Sequence, residues 1–273
     1  MARKIKLIAV DMDGTCLDNR HRVPERNLWA LEEAIKAGIL VVPATGRALK
    51  GYPVPIRKLP GIRYVITSNG ARVTDVQSGE TIRECLIPWR QAVDFLAEIE
   101  KYRVWVCAHM DGTCIDENLV PFVHRRLFYH GDFKESRLVG RLGEVIRREK
   151  MGVEKFQIFF QNRAAMEAAH RLTERQPDFD FAFSSRWYAE ITDRRASKGS
   201  ALTALCSHLG LDRSEVMAIG DSENDLSMFR AAGHAVAMGN AQEKILQAAG
   251  EVTGSNVQGG LARAVMGVVR KQG

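Results

Sequence analysis

The stretch KIKLIAVDMDGT, residues 4–15, decides the fold of this chain. Its first part, Lys4–Val10, alternates in polarity and then becomes apolar, which predicts a buried β-strand. The acidic residues Asp11 and Asp13 follow, and Gly14 after them is typical of a turn. Side chains two positions apart on an extended chain share a face, so both carboxylates can address one point. Two close carboxylates favour a bound cation or a raised pKa on one of them, although Asp and Gly are also ordinary turn residues.

The same order, a short apolar strand and then polar residues, recurs further along the chain. A predicted helix, Glu25–Ala37, is followed by Gly38 and a second predicted strand, Ile39–Val42. A polar helix is predicted to about Lys58, and a third strand at Tyr64–Thr67. Alternating strands and helices indicate a parallel α/β sheet, and such sheets place their sites at the carboxyl ends of the strands.

The middle of the chain differs, because several short strands there are close enough to form hairpins. We predict an inserted α+β domain, residues 82–191, and a discontinuous Rossmann-like core with a parallel sheet, residues 1–81 and 192–273. The predicted elements of the inserted domain are the strands Val104–Ala108, Lys155–Phe160, Phe179–Phe183 and Trp187–Ile191 and the helices Trp89–Lys101 and Ala164–Arg175. The core resumes with the predicted helices Ala201–Leu209, Ala241–Ala248 and Gly259–Val269 and the strands Val216–Ile219 and Ala235–Ala237.

The pentapeptide MDGTC occurs twice, at residues 12–16 and at residues 110–114. His109 precedes the second copy where Asp11 precedes the first. One match without a fixed period is typical of coincidence rather than of a repeat architecture. We predict that the second copy is a turn in the inserted domain.

The composition is that of a globular protein. The 273 residues are 45% hydrophobic and 26% charged, which excludes a disordered or collagen-like chain. No run approaches the roughly 18 apolar residues of a membrane span. The first residues lack a secretory cleavage pattern, so we expect a cytoplasmic protein with no membrane partner.

Net charge and cysteine content limit the classes of ligand and the types of site that the chain can have. The net charge is +6 at pH 7 and the pI is about 9.1, which mildly favours anionic ligands. The basic residues are scattered rather than gathered in one tract, so no nucleic-acid partner is expected. The five cysteines contain no C-x-x-C pair, which fits neither a disulfide framework nor a zinc site and indicates reduced thiols.

Three further segments at predicted strand ends or helix starts carry candidate functional groups. Thr45-Gly46-Arg47 offers a hydroxyl and backbone amides at a predicted helix start, which suits a phosphate oxygen. Lys198 offers a point charge for phosphate or carboxylate. The segment GDSEND, residues 220–225, offers three acids and an amide, the hard oxygen ligands that Mg²⁺ prefers.

Taken in order, these segments resemble the four motifs of the haloacid dehalogenase (HAD) superfamily. The matching residues are DMDGT at 11–15, TGR at 45–47, Lys198 and GDSEND at 220–225. The chain is most similar to the Cof-like phosphatases, in which a large α/β cap, of type C2B, is inserted between motifs two and three. The resemblance covers the whole chain, including SNGA at residues 68–71 and TGSN at residues 253–256.

The resemblance implies a Mg²⁺-dependent phosphatase that works through an aspartyl-phosphate. Asp11 is then the nucleophile, and Asp13 is the general acid and base. The Mg²⁺ ligands are Asp11, the backbone carbonyl of Asp13, and Asp221, with Asn224 and Asp225 in support.

The resemblance also implies which residues hold the phosphoryl group. These are Thr45, Gly46, Lys198 and Asn224, whose task is to offset charge on the phosphoryl oxygens. Arg47 is expected to contact either the phosphate or the rest of the substrate. The implied partner is a small phosphorylated metabolite, with sugar phosphates, phosphorylated cofactors and nucleotides all open, and the oligomeric state is not implied.

The inserted domain must choose among leaving groups, because the motifs address only phosphate and metal. The stretch SSRWY, residues 184–188, combines a cation, hydroxyls and aromatic rings, so Arg186 and Trp187 are candidate specificity residues. At least one of Trp187 and Tyr188 is expected simply to pack the domain. Cys16 is expected to be a small packing residue, and His109 and His130 to be polar surface or hydrogen-bonded residues.

Several other functions are compatible with parts of the pattern. A phosphotransferase or phosphomutase of the same superfamily stays open because the four motifs hardly discriminate it from a phosphatase. A catalytically weak sugar-phosphate sensor is a further alternative, although no acid or lysine of the motif set is missing. A calcium-binding EF-hand loop is excluded, because counting from Asp11 its Gly and Glu positions fall on Cys16 and Arg22. Counting from Asp221, they fall on Leu226 and Ala232.

Overall fold

The computed structural model describes residues 4–130 and 132–272. The strands of these residues are β1 Leu7–Val10, β2 Leu40–Pro43, β3 Tyr64–Thr67, β4 Arg72–Asp75, β5 Thr81–Glu84, β6 Val104–Met110, β7 Thr113–Asp116, β8 Arg137–Leu138, β9 Lys155–Phe160, β10 Phe179–Ser185, β11 Tyr188–Asp193, β12 Val216–Gly220, β13 His234–Ala237 and β14 Glu251–Val252. Their α-helices are α1 Glu25–Lys36, α2 Val54–Arg57, α3 Trp89–Ile99, α4 Leu119–Phe128, α5 Leu142–Glu149, α6 Arg163–Arg175, α7 Lys198–Leu209, α8 Leu226–Ala231, α9 Glu243–Ala248 and α10 Gly260–Gln272. No helix in this part of the chain is both long enough and apolar enough to cross a bilayer.

The chain forms two compact units. The first contains the segment up to Gly46, Tyr52–Glu84 and the segment from Ser197 onward, and the second contains Arg47–Gly51 and Cys85–Ala196. Strand β5 therefore belongs to the first unit, and the short segment after Gly46 belongs to the second. Within the second unit, the Lys50 amide of the segment Arg47–Gly51 donates to the Gly112 carbonyl at 2.7 Å.

The first unit is built on a parallel sheet with the strand order β14-β13-β12-β1-β2. All four residues of β1 are buried, as expected for a central strand that is covered on both faces. Leu7 and Ala9 of β1 share one buried apolar cluster with Ala201 and Leu205 of α7. Burying a leucine side chain stabilises a fold by roughly 1.5–3 kcal/mol, so this cluster anchors the strand whose end carries Asp11.

Parallel pairing aligns the carboxyl ends of the strands that position the site. In this register Val10 lies between Ile219 of β12 and Pro43 of β2. The residues that follow, Asp11 after β1 and Asp221 after β12, therefore leave the sheet side by side. The predicted fold class, a parallel α/β core with an additional α+β part, is confirmed.

The third predicted strand lies elsewhere than expected. Tyr64–Thr67 forms β3, but β3 pairs antiparallel with β4 in a separate three-stranded sheet, β3-β4-β5. It is joined to the residue after β2 by an isolated parallel bridge, Ala44 with Ile66. Pro43 immediately precedes that bridge and has no amide hydrogen to extend the ladder.

The second unit contains a six-stranded sheet with the order β10-β11-β9-β6-β7-β8, antiparallel except between β7 and β8. Strands β6 and β7 form a hairpin whose turn residues, Asp111 and Gly112, have φ values of 46° and 67°. Two positive φ values are the requirement of a two-residue type I′ turn, for which Asp-Gly is a preferred sequence. The second MDGTC copy is thus a turn, as predicted.

Candidate active site

Three carboxylates converge at the carboxyl end of the parallel sheet. Oxygens of Asp11, Asp221 and Asp225 all lie within 4.8 Å of one another, and Asp11 is only 4% exposed. The Asp11 amide donates to the Ile219 carbonyl of β12 at 3.0 Å, which fixes the start of this loop on the neighbouring strand. The parallel register thus brings together acids that are 210 and 214 positions apart.

Asp225 organises the turn that follows β12. Its Oδ2 accepts hydrogen bonds from the amides of Asp221 and Ser222, both at 3.0 Å. Its other oxygen, Oδ1, accepts from Lys198 Nζ at 2.7 Å. With both oxygens engaged, Asp225 shapes the loop and holds the lysine.

Lys198 is the buried cation of the cluster. Helix α7 begins at this residue because the Ser197 hydroxyl accepts from the Ser200 amide at 3.0 Å and so caps the helix. The lysine is 1% exposed, and its Nζ donates to Asp11 Oδ1 at 2.5 Å as well as to Asp225. Burial opposes its charge, but Asp11 and Asp225 together raise the pKa of Lys198 above its usual value.

The charges of the cluster do not balance on their own. Three ionised carboxylates and one ammonium leave a net charge of −2 in a largely buried volume. Burial, with the repulsion of Asp225 and Asp221, raises the pKa of Asp11 well above its usual value, although Lys198 opposes this. Burial also raises the pKa of Asp221 to about 6, against the hydrogen bond from Thr15. A bound divalent cation would remove this excess of negative charge.

The loop after β1 is fitted closely around Asp221. The Thr15 hydroxyl donates to Asp221 Oδ1 at 2.7 Å. Gly14 has a φ of 86°, and a Cβ at this position would lie 2.3 Å from Asp221 Oδ2. Only glycine meets both requirements, because L-residues avoid this φ and the carboxylate occupies the space of a side chain.

Asp13 differs from the buried acids in its exposure to solvent. Its side chain is 45% exposed, and its Oδ1 is 3.4 Å from Nδ1 of His21, which is itself 41% exposed. A carboxylate in contact with solvent can exchange protons with water, which a buried, lysine-bound carboxylate does less readily. The two acids of the first motif therefore have different environments, although only one residue separates them.

The segment after β2 differs from the prediction. Thr45 is buried, but its amide donates to the Ile66 carbonyl at 2.9 Å instead of being presented at a helix start. The next helical element after Gly46 is a single 3₁₀ turn, Leu49–Gly51. The expectation of amides at a helix start is wrong here because the bridge to β3 uses the Thr45 N–H. The hydroxyl of Thr45 stays a candidate for phosphate.

Arg47 belongs to the second unit, where it has protein partners. It is 6% exposed, its Nη1 lies 2.7 Å from Asp132 Oδ2, and its guanidinium lies over the rings of Tyr129 and Phe133. A buried arginine held by a carboxylate and two aromatic rings is a packing anchor. The expected contact of Arg47 with phosphate therefore finds no support in these interactions.

Two asparagines that were not predicted as site residues, Asn69 and Asn240, position residues of the site. Asn69 Oδ1, in the turn after β3, accepts from Asn224 Nδ2 at 3.2 Å, and Asn224 is exposed. Asn240 Nδ2 donates to the Gly14 carbonyl at 2.9 Å and lies 3.5 Å from Asp221 Oδ2. Asn69 follows β3 of the three-stranded sheet, and Asn240 follows β13 of the parallel sheet. The rule that polar residues after a strand mark a site would therefore have found both.

The candidate specificity residues occupy the turn between β10 and β11. Arg186 and Trp187 are exposed, and the guanidinium lies 4.9 Å from the centroid of the indole ring. Tyr188 is instead packed, since its hydroxyl donates to Glu190 at 2.6 Å and its ring centroid is 4.9 Å from that of Phe159. The expectation that one of the two aromatics packs the domain holds for Tyr188. The side chain of Ser184 lies outside the described residues.

Comparison with known proteins identifies the family. The family model for haloacid dehalogenase-like hydrolases matches residues 8–265. The chain belongs to this family. Phosphatase YwpJ of Bacillus subtilis (strain 168) is 31% identical to it, over 94% of this chain and 98% of that protein. The 5-amino-6-(5-phospho-D-ribitylamino)uracil phosphatase YcsE of the same organism is 28% identical, over 96% of this chain and 94% of that protein.

Solved structures agree with this assignment. A haloacid dehalogenase-like hydrolase from B. subtilis has a TM-score of 0.83 and 30% identity, over 96% of this chain and 99% of that one. The present chain is accordingly a phosphatase of the Cof type, that is, a phosphoric monoester hydrolase. Its substrate is a small phosphorylated compound.

The phosphatases of this family are in general metal-dependent, and the acidic cluster fits a metal. Asp11 Oδ2 is buried and has no hydrogen-bond donor among residues 4–130 and 132–272. Together with Asp221 it offers carboxylate oxygens, which are the donors that hard divalent cations prefer. The excess negative charge that the cluster carries when its carboxylates are ionised fits the same class of ion.

Proposed function

We propose that this phosphatase uses Mg²⁺ and hydrolyses a small phosphate monoester through an aspartyl-phosphate at Asp11. The observation that carries the proposal is the state of the Asp11 carboxylate. Oδ1 is held by Lys198, whereas Oδ2 is buried and accepts no hydrogen bond from the residues that the structure describes. A fixed carboxylate whose second oxygen accepts no hydrogen bond suits a nucleophile, because one lone pair is available to attack phosphorus while another can face the cation.

In the first step, an Asp11 oxygen attacks phosphorus and the bond from phosphorus to the ester oxygen breaks. Asp13 donates its proton to that leaving oxygen, for which its half-exposed side chain is suited. In the second step, Asp13 takes a proton from water, the water oxygen attacks phosphorus, and the Asp11 carboxylate is released. The balance is one ester and one water consumed, and one alcohol and one phosphate formed.

The remaining residues hold the phosphoryl group and the cation. Asp11, the backbone carbonyl of Asp13 and Asp221 would hold Mg²⁺, which supplies positive charge opposite the phosphoryl oxygens. Lys198, with the Thr45 hydroxyl, Gly46 and Asn224, would offset the rest of that charge. Asp225 supports this arrangement through the loop amides and the lysine.

The metal assignment can be tested with two acids of the same segment. Asp221→Asn removes a charge from the buried cluster, whereas Glu223→Gln changes an exposed acid that pairs with Lys244. We expect calorimetric Mg²⁺ affinity and phosphate release to fall at least about tenfold in the first variant and to stay at the wild-type level in the second. Equal Mg²⁺ affinity in both variants would contradict the ligand role of Asp221.

We further propose that the second unit is the cap that selects the leaving group, and that the substrate is a sugar phosphate or a phosphorylated cofactor. The related phosphatase YcsE, which acts on a phosphorylated ribitylamino uracil, supports this class. The exposed pair of Arg186 and Trp187 offers a cation and an aromatic face for a sugar or a heterocycle.

A panel of sugar phosphates, pyridoxal phosphate, flavin mononucleotide and p-nitrophenyl phosphate tests this specificity. Arg186→Ala should lower kcat/KM for the best substrate far more than for p-nitrophenyl phosphate. A uniform loss would place Arg186 in folding or phosphate binding, and no change would move specificity to other residues. Release of one phosphate per alcohol would establish water, rather than a second hydroxyl, as the acceptor.

A further inference from the structure

A second cluster of metal-ligating side chains lies in the second unit, apart from the acids of the active site. Sγ of Cys107, a ring nitrogen of His109 and Sγ of Cys114 all lie within 4.8 Å of one another. The three residues are 0%, 1% and 3% exposed, respectively. The absence of a C-x-x-C pair had excluded a zinc site, but spacing along the chain misses ligands that two paired strands bring together.

The hairpin of β6 and β7 explains the cluster. Cys107 and His109 are two residues apart on β6, so they share a face of the sheet. The Asp111-Gly112 turn sets a register in which His109 is opposite Cys114 and Cys107 is opposite Asp116. All four side chains therefore stand on one face.

The opposite face of the hairpin builds the apolar core of the unit. Val106, Ala108, Met110 and Ile115 belong to that core. A shift of the register by one residue would exchange the two faces, so the core holds the polar cluster in place.

The cluster is enclosed by protein. Cys107 and Cys114 form a separate buried group with Phe133, against which Tyr129 packs. Arg125 of α4, 7% exposed, donates to Asp116 Oδ1 and, at 2.7 Å, to Gln157. The remaining oxygen, Asp116 Oδ2, is buried and accepts no hydrogen bond from a nitrogen or oxygen of the residues that the structure describes.

We infer that Cys107, His109 and Cys114 form a structural binding site for a thiophilic divalent cation of the Zn²⁺ class. Two thiolates and one imidazole form a ligand set that binds Zn²⁺ in preference to Mg²⁺. Binding displaces the thiol protons to solvent, forms two metal–sulfur bonds and one metal–nitrogen bond, and involves no change of oxidation state. The two thiolates balance the charge of the ion, and Asp116 and Arg125 balance each other.

The metal-free geometry is close to what such an ion requires. The sulfurs of Cys107 and Cys114 are 3.1 Å apart. Two sulfurs on one tetrahedral zinc, each at about 2.3 Å, are separated by about 3.8 Å. An opening of roughly 0.7 Å is within reach of small χ1 rotations of the two side chains.

Co²⁺ is a spectroscopic probe that distinguishes metal binding at this site from metal binding at the acidic cluster. The full-length protein is purified under reducing conditions, saturated with Mg²⁺ and titrated with Co²⁺. We expect a thiolate-to-cobalt charge-transfer band that saturates at one equivalent and disappears when one equivalent of Zn²⁺ is added. Oxygen ligands give no such band, so the Asp11→Asn variant should keep it at full intensity.

Three variants test the ligands. Cys107→Ser and Cys114→Ser should each lower Zn²⁺ affinity at least about 10²-fold, measured by competition with a chromophoric chelator. Cys85→Ser is the matched control, because Cys85 is a buried cysteine of the same unit whose thiol contacts Asp193 instead. Its affinity should equal that of the wild type.

Three results would overturn the inference. The first is a wild-type protein with no charge-transfer band, a measurement that does not depend on any variant folding. The second is a band that survives in both Cys107→Ser and Cys114→Ser. The third is an oxidised pair under reducing conditions, seen as two missing thiols and a mass lower by two hydrogens, which would make the cluster a disulfide.

Discussion

The pentapeptide MDGTC at residues 12–16 and its second copy at residues 110–114 adopt different backbone conformations. In the first copy, Asp13 is extended, with φ −77° and ψ 117°, and Gly14 has a φ of 86°. In the second copy, both Asp111 and Gly112 have positive φ, at 46° and 67°. The same five residues therefore form a wide π-type turn in one unit, in which the Leu17 amide donates to the Met12 carbonyl at 2.9 Å, and a tight hairpin turn in the other.

The partner of the preceding strand explains the difference. β1 lies between parallel neighbours, so the chain must leave the sheet and return through α1 before β2 can pair. β6 is followed at once by an antiparallel partner, β7, which two turn residues can reach. The residue before each copy then decides the chemistry: Asp11 joins two other acids, and His109 joins two thiols.

The largest effect is expected at the residue that precedes the first copy. Asp11→Asn preserves size but removes the charge that Lys198 holds and the oxygen that attacks phosphorus, so phosphate release should fall at least about 10³-fold. Release is measured with p-nitrophenyl phosphate and Mg²⁺, with thermal unfolding as the control for folding. Near-wild-type turnover in a contamination-free preparation would rule out covalent catalysis at Asp11.

The equivalent acids within the two copies should respond differently. Asp13→Asn keeps the backbone carbonyl but removes the proton-transfer group, so the rate should fall at least about 10²-fold while Mg²⁺ binding is largely retained. Asp111→Asn should leave the rate unchanged and shift stability by less than about 0.5 kcal/mol, because Asn tolerates positive φ. An equal loss of Mg²⁺ affinity in Asp13→Asn would instead make that side chain a ligand.

The glycines of the two copies are expected to have different roles, Gly14 in catalysis and Gly112 in stability. Gly14→Ala would place Cβ 2.3 Å from Asp221 Oδ2 and displace it, so turnover should fall about 10²-fold. Gly112→Ala meets Leu49 Cβ at 2.8 Å, so it should lower the free energy of unfolding by about 1–2 kcal/mol with kcat retained. Urea unfolding and steady-state kinetics of both variants check the pair, and a loss of kcat in Gly112→Ala would contradict the separation.

The smallest effect is expected at the two threonines. Thr15→Val removes the hydrogen bond to Asp221, so Mg²⁺ affinity should fall roughly tenfold. Thr113→Val removes only a 3.4 Å contact with the Asp111 carbonyl, so Mg²⁺ affinity and melting temperature should stay at wild-type values. Calorimetry of both variants measures the difference, and equal affinities would mean that the Thr15 hydroxyl does not orient the ligand.

Strong local patterns predicted many elements well. β3 and β9 have the predicted bounds, Tyr64–Thr67 and Lys155–Phe160, because β3 is a short apolar run and β9 alternates polar and apolar residues before it ends in two phenylalanines. β7 and α4 were not predicted. β7 has only four residues, and α4 carries a proline in its first turn and exposes Leu119 and Leu127, so neither shows a clear periodicity.

The site was predictable to the extent that each group follows a strand or starts a helix. The sequence placed Asp11, Asp221 and Lys198 at such ends, and the structure brings them together because parallel strands align their carboxyl ends. Asn240 could have been found by the same rule. The amide of Thr45 could not, because its use in the bridge to Ile66 depends on a strand 21 positions away.

The sequence by itself determined the order of the motifs and the α/β class, since these depend on neighbours within a few residues, and through the family resemblance it predicted the catalytic acids. Tertiary structure alone decided that Arg47 pairs with Asp132, 85 positions away, and that Cys107, His109 and Cys114 share a face. The physical reason is the distance along the chain over which each effect acts. Propensity and periodicity act along the chain, whereas the partner of a buried charge or thiol is set by strand register and side-chain packing, which come into being only when distant segments meet.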